Sequence, residues 1–201
     1  MILGLIALAV VSSAGTHDIP VEAEWVEREM DWEWLTYCNG TPGWLSWGGT
    51  YRGTWFNLED FFPGVTTALV SEVELWFFHS SSYPWDTSDA FVELWEGCSY
   101  GPGSELDQQI VTAQHLTPVY IYYDPPIEVP GDFWVLVNIE MSAGGWPSIL
   151  GDNSAEPVPH SFYSDDFIVW EPWYGRNYFV AVLAEFDDLG AISWGELKSM
   201  F

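Results

Sequence analysis

The side chains able to do chemistry here are mainly carboxylates, with 30 Asp and Glu against 4 Lys and Arg. Some of these acids fall close together in loops, at Asp86–Asp89, Asp152–Asn153 and Asp165–Asp166. Calcium takes about six to eight hard oxygen ligands from carboxylates and carbonyls. Asp152, Asn153, Asp165 and Asp166 are therefore candidate Ca2+ ligands, against the plainer alternative of solvated loop acids. No EF-hand spacing is present. Glycoside hydrolysis needs two carboxyls facing across a cleft, and Glu93 and Glu140 on strands are the pair to consider. The four histidines, His17, His79, His115 and His160, show neither H-x-H nor H-E-x-x-H spacing, which argues against a transition-metal centre. Ser161 follows His160 without a G-x-S-x-G elbow. The expectation is a non-catalytic protein with no assigned catalytic residue.

Two further residue types carry information. The two cysteines, Cys38 and Cys98, have no metal-ligand spacing. In an exported chain an even count predicts one disulfide. Closing a loop of about sixty residues would stabilise by roughly 4 kcal/mol on the entropic model. The 14 tryptophans exceed what one core needs. Trp44, Trp47, Trp55, Trp76, Trp85 and Trp95 are candidates for flat platforms that stack on sugar rings, with Asn, Asp and Glu as neighbouring acceptors. Alternatively, they are covered by loops or by a neighbouring subunit.

The elements that must position these groups read as strands. In Leu69–Gly97, Val73, Leu75 and Phe77 fall on one face and Glu72, Glu74 and Trp76 on the other. Val92 and Leu94 likewise oppose Phe91, Glu93 and Trp95. Period-two alternation predicts half-buried antiparallel strands, here joined as a central hairpin by a Ser-, Asp- and Pro-rich loop. Further strands are expected at Trp44–Trp47, Tyr51–Leu58, Leu106–Ala113 and Pro118–Tyr123, the last stopped by Pro125-Pro126. Asp132–Glu140 should be a central strand buried on both faces. Ser161–Ser164, Phe167–Trp170 and Asn177–Phe186 complete the set. Even spacing broken by Gly and Pro implies an all-β fold, a single antiparallel β-sandwich, jelly-roll-like, of about eight to ten strands.

Length and charge bound the partners. At 201 residues the chain suits one domain, and 48% hydrophobic residues argue against disorder. A formal charge of -26 repels phosphate backbones and anionic head groups, excluding nucleic acid as a partner. The apolar run Ile2–Val11, followed by small residues up to Ala14, reads as a signal peptide over residues 1–14 and is too short for a membrane span. The expected location is secreted, extracellular or at the cell surface. Residues 15–36 form an N-terminal extension or edge strand, in which Ile19, Val21, Ala23 and Trp25 recur at spacing two. Such a segment suits a subunit contact, adding as a strand to a neighbouring sheet and building a homo-oligomer or filament. The sandwich is assigned to residues 37–186 and a tail to residues 187–201.

The second half, GDFWVLV, then WPSILGDNS, SFYSDD, FIVW and NYFVAVLAEF, resembles jelly-roll-like β-sandwich modules of secreted bacterial surface proteins. The matching residues are Gly131, Asp132, Phe133, Val135, Pro147, Leu150, Gly151 and Asp152, within a resemblance spanning about Val65–Phe186. It implies an accessory or surface module rather than a particular activity. Secreted proteins of this kind often end in a similar W-G-x-x-K-x-x-F pattern. The match here is Trp194, Gly195, Lys198 and Phe201, which implies a sorting tail read by an export or anchoring machine.

Overall fold

A computed structural model describes residues 17–20, 34–47, 49–144, 147–154 and 157–186. Among the described residues strand outweighs helix by 55% to 3%, so the all-β expectation holds. In chain order the strands are β1 His17–Pro20, β2 Trp34–Leu35, β3 Pro42–Trp47, β4 Tyr51–Phe56, β5 Ala68–Leu75, β6 Asp89–Cys98 and β7 Gly101–Thr112. They continue with β8 Val119–Val129, β9 Phe133–Asn138, β10 Ile149–Asp152, β11 Ser161–Ser164, β12 Glu171–Pro172 and β13 Val180–Phe186. One helical turn, α1 (Leu58–Phe61), follows β4; the Asn57 side chain accepts from Glu59 N at its start.

Two antiparallel sheets face each other, one ordered β12-β11-β4-β9-β6-β7 and the other β2-β13-β5-β8. The main core joins inward residues of both: Val92, Leu94, Val135 and Val137 from the first, Val73, Leu75, Ile121 and Val182 from the second. Interdigitation of two inner faces is what makes a sandwich. A smaller sheet, β1-β3-β10, continues the second through bridges at Phe77–Ile149 and Gly151–Tyr178.

Periodicity found the strands and misassigned some connections. β5 and β6 are not hairpin partners: β5 pairs with β13 and β8, β6 with β7 and β9. Both alternating faces point at the same core from opposite sides, so the loop between them crosses from sheet to sheet. Pro125-Pro126 does not stop its strand. β8 continues to Val129, and the register shift opposite Val70–Glu72 absorbs the prolines as a bulge. Phe167–Trp170 is not a strand, because Asp166 Oδ1 accepts from the amides of Ile168 and Val169 and folds the segment into a turn. β9 is buried along its whole length, as expected of a central strand. No helix among the described residues is long and apolar enough to cross a membrane.

The expected Cys38–Cys98 bridge is not formed, and both residues are free thiols. Cys38 packs beside the Leu45, Leu150 and Phe179 cluster of the small sheet. Cys98 ends β6 at a hairpin tip, where its carbonyl accepts from Trp134 Nε1. They belong to different layers.

Candidate functional site: an aromatic face and its groove

The outer face of the six-stranded sheet is paved with rings. Register places Trp55 opposite Trp134 and Trp134 opposite Trp95, a row of three tryptophans across β4, β9 and β6. The next row runs Phe162, Gly53, Leu136 and Glu93. Gly53 is required here, since a Cβ at this position would lie 2.3 Å from Leu136 Cδ2 and 3.1 Å from Trp134 Cε3. The turn after β11 folds back over these rows. Phe167 sits 4.9 Å from both the Trp95 and Tyr51 rings, and Trp170 lies 5.2 Å from Trp134.

The covering turn is held by its own polar groups. Phe167 N donates to Ser164 Oγ at 3.0 Å. The amides of Val169 and Ile168 keep the Asp166 carboxyl below the usual carboxylate range. Phe167 adopts φ 63, a left-handed conformation uncommon for a bulky residue. The result plants Phe167 on the aromatic rows and leaves Ile168 81% exposed.

Between this turn and the β6–β7 tip lies a groove of about 560 Å³, lined among others by Glu96, Tyr100, Asp132, Phe167, Ile168 and Trp170. Tyr100 stands in the two-residue turn and is 92% exposed. Gly101 lets the hairpin approach Trp170, since a Cβ there would meet Trp170 Cδ1 at 3.1 Å. Asp132 accepts from Leu58 N at 3.4 Å, while its carbonyl accepts from Gly97 N at 3.1 Å. Burial raises the Asp132 pKa above its ordinary value. The groove wall includes two carboxyls and no basic side chain. The basic residues of the described part lie elsewhere. Arg52 is wholly buried, and desolvation lowers its pKa to about 10. Arg176 stacks 4.0 Å above the Trp44 ring.

The sugar-platform candidates are therefore divided. Trp55 and Trp95 share the aromatic face. Trp44 packs on the main core beneath Arg176. Trp76 donates to Glu74 Oε1 at 2.6 Å and packs on the small sheet's cluster. Trp85 meets His79 edge-on and packs on the main core. The Trp47 side chain lies outside the described residues. Trp134, Trp170 and Tyr100 were missed. In the sequence Trp134 lies within the apolar run Asp132–Glu140 and Trp170 within the expected strand Phe167–Trp170, while Tyr100 carries no pattern of its own. The legible signal was the glycine spacing around Tyr100, because Gly97 and Gly101 both mark close approach to an indole.

The loop acids do not gather as calcium ligands. Asp152 is fully buried and accepts from Asn39 N, Asn177 N, Ser154 N and Ser154 Oγ. Asn153 Oδ1 accepts from Asn39 Nδ2, and Asp166 is occupied by its turn, next to exposed Asp165. No group of three or more acids, histidines or cysteines among the described residues is placed to hold a metal ion. Glu93 and Glu140 do meet, at the amide of Asn138, whose Nδ2 lies 2.7 Å from Glu93 Oε1 and 3.3 Å from Glu140 Oε2. Glu93 is only 2% exposed and also accepts from Gln108 and Trp95, so it anchors neighbouring strands and is closed to a substrate. In the N-terminal segment, Ile19 pairs with Leu45 of its own chain. Val21, Ala23 and Trp25 lie outside the described residues, as do Trp194, Gly195, Lys198 and Phe201.

No protein-family model, curated protein or solved structure matches the chain.

Proposed function

We propose that this is a secreted or cell-surface, non-catalytic structural and binding module, and that the groove beside Tyr100 holds a neutral carbohydrate. The observation that carries the reading is the groove itself, which sets aromatic faces at Tyr100 and Trp170 beside carboxylate acceptors at Glu96 and Asp132. Its volume is in the range of small-ligand sites. A charge of -26 selects against anionic sugars. Tyr100 is so exposed that Tyr100→Ala leaves packing untouched. Glycan arrays followed by calorimetry on the best ligand test the reading. Tyr100→Ala should weaken binding at least tenfold, about 1.4 kcal/mol. An array without hits, or unchanged affinity in the variant, refutes it.

A second reading is favoured by β1. Among the described residues this four-residue strand pairs with β3 alone, at the edge of the small sheet. The same pairing delivered between chains would build an extracellular filament by strand addition. Electron microscopy of the secreted material tests it, and filaments that persist after deletion of Thr16–Glu24 would refute it. The tail residues Trp194, Gly195, Lys198 and Phe201 are proposed as a sorting address. A chain truncated after Asp188 that still reaches the surface would exclude that role.

A further inference from the structure

We infer that Asn39 is an acceptor for N-linked glycosylation. Asn39-Gly40-Thr41 is the one N-x-[ST] triplet in the 201 residues, the pattern of an N-glycan acceptor in an exported chain. The inference rests on the secretion reading and is independent of the groove.

The β2–β3 loop displays this triplet in a fixed shape. Thr41 N donates to Asn39 Oδ1 at 2.9 Å, closing an Asx turn across the triplet. Gly40 takes φ +78, and a Cβ there would meet nothing within 4 Å, so the space over the turn is open. Asn39 and Thr41 are exposed. The base of the loop is anchored from beneath. Asn39 N donates to buried Asp152 Oδ2 at 2.9 Å, Gly40 N to Cys38 Sγ at 3.3 Å, and Asn153 N to Thr41 O at 3.1 Å. Asn39 Nδ2 donates to Asn153 Oδ1 at 2.9 Å. An amide nitrogen carries two protons and gives up one on glycosylation. One proton therefore stays on Nδ2 after modification, available to an acceptor such as Asn153 Oδ1.

The donor class is a lipid-phosphate-linked oligosaccharide and the catalyst a membrane oligosaccharide transferase. The bond from sugar C1 to phosphate oxygen breaks, and the lipid phosphate leaves with its electron pair. A bond forms between C1 and Asn39 Nδ2, and the amide proton passes to a base of the transferase. Pro42 follows the triplet. It has no backbone N–H and restricts Thr41 to extended conformations, so it slows transfer and leaves part of the molecules unmodified.

The test expresses the full chain in a host with N-glycosylation machinery, behind its own leader and, in parallel, behind a host leader that forces export. Intact mass and peptide mapping read the product. The host-leader chain should carry a mass excess of whole sugar residues at Asn39. The excess should vanish in Asn39→Gln and Thr41→Ala, persist in Thr41→Ser and reach a larger share of molecules in Pro42→Ala. An exported host-leader chain with bare Asn39, or an excess that survives Asn39→Gln, overturns the inference. Modification behind the host leader with retention behind the native one supports the acceptor site and refutes the secretion reading instead.

Discussion

Replacing Gly53 by alanine tests the aromatic face at its tightest point. The new Cβ would lie 2.3 Å from Leu136 Cδ2 and 3.1 Å from Trp134 Cε3, where carbon atoms prefer about 3.5–4.0 Å. Leu136 has to move by more than about 1 Å to restore that separation. It is fully buried, as is Trp134, and Phe162 closes the same cluster. Overpacking of such a site costs about 1–3 kcal/mol. For a domain of this size each kcal/mol lowers Tm by about 2–4 °C, so Gly53→Ala should melt several degrees early. Leu136→Ala alone should cost about 2–5 kcal/mol through the cavity it leaves. In the double variant the methyl introduced by Gly53→Ala enters that cavity, and the combined loss should fall short of the sum by more than about 0.5 kcal/mol. Thermal and denaturant unfolding of the four proteins measures the cycle, with near-ultraviolet circular dichroism reporting on the indoles. Additive losses, or an unchanged Tm in Gly53→Ala, would show that the close approach between β4 and β9 is not as described.

Three further outcomes follow from the same geometry. Asp152→Ala removes the acceptor for donors from residues 39, 154 and 177 and should destabilise by about 3 kcal/mol or more, since hydrogen bonds to charged groups are worth roughly 1.5–3 kcal/mol each; a loss under about 1 kcal/mol in urea unfolding contradicts the latch. Asp132 has a raised pKa in the fold, so the folded state binds its proton more tightly than the unfolded chain does, and this carboxyl loses stability as pH rises from the ordinary carboxylate range through the folded pKa. Asp132→Asn should gain on the wild type over that climb, and a constant difference across pH rejects the raised value. Under non-reducing conditions exposed Cys98 should take up a thiol label first and Cys38 only slowly, because burial pushes the Cys38 thiol up; a chain that takes no label before reduction would restore the disulfide.

Alternation was enough to find which residues face the core. Val73, Leu75, Val92 and Leu94 are all buried as their spacing requires, and the run Phe133–Asn138 is buried on both faces. Pairing partners were not legible. β5 joins β13, more than a hundred residues later, and no local pattern encodes a neighbour that distant. Glu74 and Glu93 fall by alternation on the faces away from the core, yet tryptophans two residues further along donate to each of them. Asp152 looked like a loop ligand because its donors arrive from residues 39 and 177, far apart in sequence. The groove is illegible for a similar reason, since Tyr100 and Trp170 come to line one groove only when the turn after β11 folds over toward the hairpin.

The position of β13 sets the order in which this chain becomes a protein. The last described strand is an interior member of its sheet, flanked by β2 and β5. While residues before 180 are being synthesised, β2 and β5 have no strand between them, and Val73 and Leu75 lack the neighbours that bury them. Loop closure over more than a hundred residues must precede any reward from this pairing, which places the fold among slow, non-local topologies. A chain that emerges from its N-terminus at about 5–20 residues per second therefore leaves this sheet unlocked until Val180–Phe186 is out. That delay leaves apolar strands uncovered until Val180–Phe186 joins the sheet, so a truncation inside β13 leaves them open to aggregation.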